Sequence, residues 1–226
     1  MQIMPPTMAQ EAPPQAQGKG RGTWPDFLPN RLTPGASEEF RLLGNYGTGH
    51  CDVLYRLPQE KETQDGSLKF SGYAFFNEWV DPALNFGARE TDWSNPSRPK
   101  IEGSFVKPKR AMVWIAWSYV RNRPELLIVE QQTLSQQLTE ILKDEDYQFS
   151  DDGIPNFTIK IGRKGAGLET SYSLLPKMSE AKADVVVAFE QIKDTAKVAV
   201  LTEGRHPLIQ KTEFKQAAAL AELGDF

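Results

Sequence analysis

The chain has 226 residues and a mass of 25.4 kDa, the size of one large domain or of one domain with extensions. Charged residues make up 25%, hydrophobic residues 39% and the net charge is −4, which excludes collagen-like, disulfide-rich and wholly disordered classes. The longest apolar run, residues 111–120, is about half as long as a bilayer-spanning helix. We therefore expect no membrane-spanning segment and no membrane partner.

Cysteine and histidine are too scarce for most metal and redox sites. The single cysteine, Cys51, excludes an internal disulfide and any site that needs two thiolates. A zinc site built from His50, Cys51 and carboxylates lacks the usual ligand spacing, so we predict no metal and no cofactor. Residues 1–23 lack the basic cluster and apolar run of a secretory signal, and a reducing cytoplasm is the expected location.

Composition divides the chain into three parts. Residues 1–22 are rich in proline, glutamine, alanine and glycine, which predicts a disordered arm. Its small basic stretch at 18–22 is typical of a flexible linker, with contact to a phosphate backbone as the alternative. Order is expected from about residue 24, with a domain over residues 23–200. Residues 201–226 are predicted to be a C-terminal tail with a short helix at 214–223.

Strand patterns follow one another along the domain. Alternating or continuous apolar residues predict strands at 39–43, 51–57, 68–79, 101–106, 111–120, 126–130, 157–161 and 170–175. Residues 81–100, between two of them, form a long irregular segment of the kind that is functional or mobile. Many short strands with few helices predict a mainly β (α+β) fold, a small barrel or sandwich rather than a parallel α/β sheet.

The period changes at residues 133–142. Leu134, Leu138, Ile141 and Leu142 recur at helical spacing, which predicts a one-sided amphipathic helix inserted late in the sheet. Acidic residues 144–146 follow its C-terminal end, where negative charge is unfavourable, so we expect them to serve another purpose. Residues 185–192 and 197–201 are compatible with two further elements, the first of them helical as one option.

Sequence templates for catalysis are missing. The chain has no nucleophile elbow, no Walker phosphate loop and no zinc-protease motif. Residues 162–167 are rich in glycine and basic, but a strand pattern follows where a phosphate loop needs a helix, which favours a tight hairpin. Acidic residues 144–152 lack the spacing of a calcium loop and are more typical of a solvated loop. We therefore predict that the protein is not an enzyme.

A basic and aromatic stretch carries the strongest functional signal. Residues 98–123 contain seven cations and one carboxylate, a local charge of +6 in a chain of net −4, interleaved with Phe105, Trp114, Trp117 and Tyr119. Cations that neutralise phosphates and rings that stack on bases are what single-stranded nucleic acid requires. The alternative is that the tryptophans are core residues and the cations are solvated. Trp114 and Trp117 are three residues apart and face opposite sides of a strand, and Trp114 is the expected core residue.

Two motifs in the second half carry a family resemblance. Residues 127–147 combine a strand, the helix at 133–142 and the acidic segment ending at Tyr147. Residues 157–176 form a basic strand that leads into Arg-Lys-Gly-Ala-Gly-Leu-Glu-Thr-Ser-Tyr at 163–172. Together they resemble the single-stranded DNA-binding proteins of tailed phages related to the T4 helix-destabilising protein. Looser similarity reaches back to Arg41 and covers about two thirds of the chain.

The resemblance implies an oligonucleotide-binding (OB-like) five-stranded barrel with an inserted helix and flexible termini. It also implies sequence-independent coating of single-stranded DNA during phage replication, recombination and repair, in the host cytoplasm. Members often carry a cysteine-rich zinc-binding insert, which one cysteine cannot form. Many replicative single-strand binders end in an acidic tail with a terminal aromatic that docks replication proteins, a role that would fall to Asp225 and Phe226.

The predicted DNA-binding residues combine cations and exposed rings. For phosphate contacts we predict Lys100, Lys107, Lys109, Arg110, Arg121, Arg123, Arg163 and Lys164, and for base stacking Tyr73, Phe76, Trp93 and Trp117. Lys109, Arg163 and Trp117 are expected to line one groove. Two alternatives remain open: a virion structural or assembly protein whose aromatics contact other subunits, and a metal-dependent nucleic-acid-processing enzyme using Asp144, Asp146 and Asp151.

Overall fold

The computed structural model describes residues 26–64, 66–150 and 153–209. Within these residues the chain forms ten strands and two α-helices. The strands are β1 (Asp26–Phe27), β2 (Ser37–Leu42), β3 (Cys51–Glu62), β4 (Leu68–Phe76), β5 (Arg89–Thr91), β6 (Lys100–Phe105), β7 (Lys109–Ser118), β8 (Arg123–Val129), β9 (Phe157–Lys164) and β10 (Ser171–Met178). The helices are α1 (Gln132–Lys143) and α2 (Ala183–Ile192), and short 3₁₀ helices span Pro29–Arg31, Tyr46–Thr48, Gly167–Glu169 and Val198–Glu203.

Eight strands share one sheet, and the predicted mainly β class is confirmed. The main path runs β1-β8-β7-β2-β9-β10, and β3 and β4 branch from the N-terminal half of β7. All pairings are antiparallel except the short β1–β8 pair. In the described part of the chain β8 and β10 do not pair, so the sheet does not close into a barrel. Strands β5 and β6 form a separate two-stranded sheet.

Strand β7 lies at the centre of the sheet because it pairs with β2, β3 and β8. Both of its faces are buried over most of its length. Its residues alternate between two hydrophobic clusters, as the two-residue period of a strand requires. The cluster on one face, called here the α1 side, includes Met112, Trp114, Phe40, Leu134, Leu138 and Ile159. The cluster on the other face, the α2 side, includes Val113, Ile115, Trp117, Ile128, Val185 and Phe189. A strand buried on both faces appears in sequence as a continuous apolar run, which explains residues 111–118.

Helix α1 lies where its periodicity predicted it. Leu134 and Leu138 are fully buried, while Ile141 and Leu142 pack at the margin of the α1-side cluster. The Asp144 carboxylate accepts a hydrogen bond from the backbone N–H of Asp146 at 3.0 Å. Its role in this structure is therefore to close the turn after the helix, which accounts for acidic charge at an electrostatically unfavourable place.

Several elements differ from the sequence prediction at their limits. Strand β3 continues to Glu62 and β8 begins at Arg123, because both gain pairing partners that extend past their apolar residues. Residues 185–192, left open between types, are helical as part of α2. Leu201 and His206 are buried, so the packed part of the chain continues beyond residue 200, where the tail was predicted to begin. The predicted arm at 1–22 and helix at 214–223 lie outside the described residues.

A buried arginine joins the sheet to the segment that leads into α2. The Arg41 guanidinium is fully buried, and its Nε donates to the hydroxyl of Tyr119 at 3.0 Å. Its two terminal nitrogens donate to the carbonyl oxygens of Pro155, Ser179 and Glu180. Because buried polar groups are costly without partners, this network fixes the chain at the entrance to α2. Helix α2 then covers the outer face of β7 and β8.

Candidate nucleic-acid interface

Three strands carry a row of exposed or half-exposed side chains on the α1 side. Tyr55 of β3 lies directly opposite Phe76 of β4 on one flank and opposite Arg110 of β7 on the other. Directly opposed residues of antiparallel strands share a face, with Cβ atoms about 5 Å apart. Tyr55 and Phe76 are half-buried and Arg110 is exposed. We call this row of two rings and one guanidinium the platform.

An open pocket continues the platform along β7. Every second residue of β7 lies on this face, which places Arg110, Met112 and Trp114 side by side. Met112 and Trp114 form the floor of a cavity of about 290 Å³. Trp114 is stacked nearly parallel to Phe149, with ring centroids 6.0 Å apart, and meets Tyr46 edge-on at 5.6 Å. We call this cavity the side pocket. Its lining comprises Asn45, Tyr46, Met112, Trp114, Thr139, Leu142, Lys143 and Phe149.

The pocket rings are uncharged at neutral pH. Partial burial, with Cys51 and Asp52 nearby, raises the pKa of Tyr46 to about 12. Burial, with Asp52 nearby, also raises the pKa of the Cys51 thiol, so neither group brings negative charge to this surface. Neutral aromatic walls can stack on an aromatic ring without repelling a phosphate attached to it, and the neighbouring arginine can bind that phosphate.

The α2-side face of the same strands carries a second group of charged and aromatic side chains, which already contact one another. The guanidinium of Arg56 lies 3.2 Å from the ring centre of Tyr73 and forms an ion pair with Glu130. Lys109 pairs with Arg56 across the strands and shares this α2-side face. Tyr73 and Phe76, both predicted to stack on bases, are therefore on opposite faces of β4, as are Lys109 and Arg110 on β7. One flat surface cannot include all four.

Residues 77–106, between β4 and β7, expose further rings. From here on we call this segment the arm; it is distinct from the predicted N-terminal arm at residues 1–22. Trp93 is 74% exposed, with the guanidinium of Arg98 at 5.1 Å from its ring centre, and Trp79 is 55% exposed. Phe86 and Arg98 have positive φ angles of 54° and 49°, which are rare for residues other than glycine and often mark functional segments. The exposed position of Trp93 is compatible with its predicted stacking role.

Trp117 was predicted to stack on bases, and its position makes that prediction wrong. Its side chain is only 5% exposed and belongs to the α2-side cluster. Trp114, the expected core residue, is 1% exposed and points to the other face, as the spacing predicted. Both rings are buried because α1 covers one face of β7 and α2 covers the other, a fact that the local pattern of one strand cannot reveal.

Four of the predicted phosphate contacts are engaged within the fold. Arg121 binds Glu38 and Glu125, each with an N–O distance of 2.6 Å, and Arg123 pairs with Glu125 at 3.1 Å. Arg163 donates to the carbonyl oxygens of Asn30 and Leu32 at 2.8 Å. Lys100 pairs with Glu60 at 2.5 Å. These side chains hold strands and turns together, so carboxylates and carbonyls of the fold compete for them, and their contact with phosphate stays a prediction.

Four other cations remain available. In the described part of the chain, the side chains of Lys107, Lys109, Arg110 and Lys164 are exposed and form no ion pair. Arg110 belongs to the platform, whereas Lys107 and Lys109 come just before it along the chain, with Lys109 on the α2-side face. Lys164 lies at the end of β9, in the hairpin that the glycine-rich stretch predicted.

The expected common groove of Lys109, Arg163 and Trp117 does not form. Lys109 begins β7, whereas Arg163 lies beside Ala36 at the end where β7 finishes. Residues 110 and 118 are eight positions apart, which is about 27 Å along a strand. The basic stretch that is continuous in sequence is thus divided between two ends of the sheet.

The surroundings give no sign of a metal centre. Among the described residues no group of three or more histidine, cysteine or acidic side chains is placed to hold an ion. Asp144 and Asp146 are exposed, while Asp151, Asp225 and Phe226 lie outside the described residues. In the same part of the chain, no helix has the length and hydrophobicity needed to cross a bilayer.

Sequence reasoning missed three contributors to this surface. Tyr46, Tyr55 and Phe149 stand alone in polar or alternating segments, and only pairing and packing bring them beside Arg110 and Trp114. A half-buried tyrosine on an alternating strand was the one available signal for Tyr55. Comparison with known proteins adds no assignment, because no family model, no curated protein and no solved structure matches the chain.

Proposed function

We propose that this protein binds single-stranded DNA without sequence preference, and that the platform and its neighbouring cations are the binding surface. The observation that carries the proposal is the row of Phe76, Tyr55 and Arg110 across three strands. Two rings for base stacking stand beside one guanidinium that has no ion pair among the described residues and can contact phosphate. Paired bases in a duplex would not reach such rings, so the surface favours single strands.

The strand connections support an OB-type fold for this role. Strands β2, β7, β8, β9 and β10 lie in the order β8-β7-β2-β9-β10, and α1 connects β8 to β9. We propose that this is an opened OB-type arrangement, a fold whose barrel is often only partly closed and which binds through strands 2–3 and two loops. Here α2 covers the outer face of β7 and β8. The binding role then falls to the connection from β2 to β7, which carries the platform and the arm.

The proposed biological role follows the family resemblance of the second half of the chain. The protein would coat transient single strands during phage replication, recombination and repair in the host cytoplasm, without turnover. Asp225 and Phe226 would dock replication proteins such as a polymerase, helicase or primase. This partner assignment is separate from the DNA-binding proposal and is tested separately, by deleting residues 225–226: DNA affinity should not change, whereas binding of a replication polymerase, helicase or primase should be lost.

Oligo-dT binding tests the central proposal. Titration at low salt should quench the emission of Trp79 and Trp93, because both rings are exposed. Tyr55→Ala should weaken binding by about tenfold, in the range measured for loss of one base–aromatic contact. Tyr172→Ala is the matched control, a half-buried strand tyrosine at the other end of the sheet, and should bind as the wild type does.

Two outcomes would reject the proposal at different levels. Unchanged emission together with no mobility shift at saturating oligo-dT would reject DNA binding altogether. Equal binding by the Tyr55→Ala and Tyr172→Ala proteins would reject the platform as the binding surface.

One observation favours a second candidate, a virion structural or assembly protein. The arm exposes Trp79, Phe86 and Trp93, which are also suitable for contacts between subunits. A stable high-order oligomer that does not respond to DNA, and that dissociates on Trp93→Ala, would favour this candidate.

A further inference from the structure

The side pocket has features of a binding site for one unstacked nucleobase. Its volume of about 290 Å³ is at the lower limit of small-ligand pockets, roughly 300 Å³, which suits a single ring system rather than a complete dinucleotide. Its lining includes the rings of Tyr46, Trp114 and Phe149. Uncharged aromatic walls are the surroundings that a base accepts once it leaves its stack.

Polar groups at the rim could orient a base. The side-chain oxygen of Asn45 accepts a hydrogen bond from the backbone N–H of Thr48 at 3.1 Å, which holds the amide in place and leaves its nitrogen as a donor. The hydroxyl of Thr139 donates to the carbonyl of Ser135 and keeps its lone pairs for a second partner. One donor and one acceptor above an apolar floor match the edge of a base, which carries both.

The charge around the pocket identifies the occupant. Arg110 lies two residues from Met112 on the same face of β7, about 7 Å along the strand. Lys143, on the last turn of α1, also lines the pocket; its ion pair with Glu140 at 3.0 Å is fully at the surface, where such pairs contribute little and a phosphate can replace the carboxylate. Two cations beside an apolar pocket complement a chain that carries phosphates on both sides of each base. An apolar peptide side chain carries no negative charge for these two cations to bind.

We propose that one base of the bound single strand turns out of the row on the platform and enters the side pocket, with its flanking phosphates on Arg110 and Lys143. This inference rests on the proposed DNA binding and adds a discrete base-recognition site to it. Stacking on the platform alone would not fix which nucleotide of the strand lies against which ring. A pocket fixes the register of one nucleotide relative to the protein.

Photo-crosslinking of the wild-type protein tests the register. A set of dT oligomers, each with one 5-iodouracil at a different position, is irradiated in the complex and the modified peptides are identified. We expect one position to give an adduct on Tyr46 or Phe149 while its neighbours modify Tyr55 or Phe76. Adducts confined to the platform or the arm in every oligomer would overturn the pocket and leave DNA binding intact.

A pocket-filling variant provides the second measurement. Leu142→Trp places a large ring into the cavity from α1 without removing a cation or an existing aromatic wall. We expect about tenfold weaker binding of labelled oligo-dT. Val187→Trp, on the exposed side of α2, is the matched control and should bind as wild type does. If wild type binds and Leu142→Trp, folded by circular dichroism, binds equally well, the pocket assignment is wrong; if wild type does not bind, the proposed function itself fails.

Discussion

The division of the basic stretch into available and engaged cations predicts opposite outcomes for two arginines. Arg110 is exposed and has no ion pair in the described part of the chain, whereas Arg121 binds two carboxylates. Each phosphate contact with a single strand contributes about −0.7 to the slope of log affinity against log salt. Arg110→Gln should therefore reduce the magnitude of that slope by about 0.7, which corresponds to about fivefold weaker binding at roughly 0.1 M salt.

Arg121→Gln is the matched control in the same basic stretch. It removes a partner from the buried carboxylate of Glu125, so we expect the free energy of unfolding to fall by about 1–3 kcal/mol. Its salt slope should equal that of the wild type. Fluorescence anisotropy with labelled oligo-dT at four or more salt concentrations gives the slopes, and urea denaturation gives the stabilities. An unchanged slope in Arg110→Gln, or equal reductions in both variants, would refute the reasoning.

Three further predictions concern the fold around this surface. Trp117→Phe should lower stability and leave DNA affinity unchanged, because the ring is buried on the α2 side; urea denaturation and anisotropy measure both. Burial, with Lys197 nearby, lowers the pKa of His50 to about 4, so protonation favours the unfolded chain, and stability should fall between pH 6.5 and 4 by up to about 3 kcal/mol more than in His50→Gln. Gly165→Ala should destabilise the β9–β10 hairpin by at least about 1 kcal/mol, since φ is +68° and a Cβ atom would overlap the carbonyl of Glu169; a thermal melt that matches wild type would contradict this.

Local pattern was sufficient for most elements of the fold. Strand β7 was predicted from the apolar run at 111–118, and helix α1 from the four-residue spacing of Leu134 and Leu138. Both elements lie where predicted, because each pattern reflects burial within one continuous stretch of chain. Strand limits were less predictable because β3 and β8 extend where partners are available. The chain segment that covers β7 on its α2 side could not be inferred, since it comes from residues about 70 positions further along the chain.

The candidate site depended far more on pairing than on composition. Tyr55 meets Phe76 and Arg110 only through the registers of two strand pairs, and a shift of one residue would turn its ring to the other face. Phe149 reaches Trp114 from a loop that follows α1. No local signal relates these positions, because contact between distant segments is a property of the packed sheet.

By itself, the sequence determined the mainly β class, the inserted helix, the glycine-rich hairpin and the presence of a basic, aromatic stretch around β7. These follow from periodicity and composition, which act within a few residues. Only the tertiary structure decided which cations are available, which rings are buried and which side chains share a face. A net charge of −4 and a local charge of +6 count cations without their partners, whereas the proposed phosphate contacts depend on the cations that the fold leaves accessible.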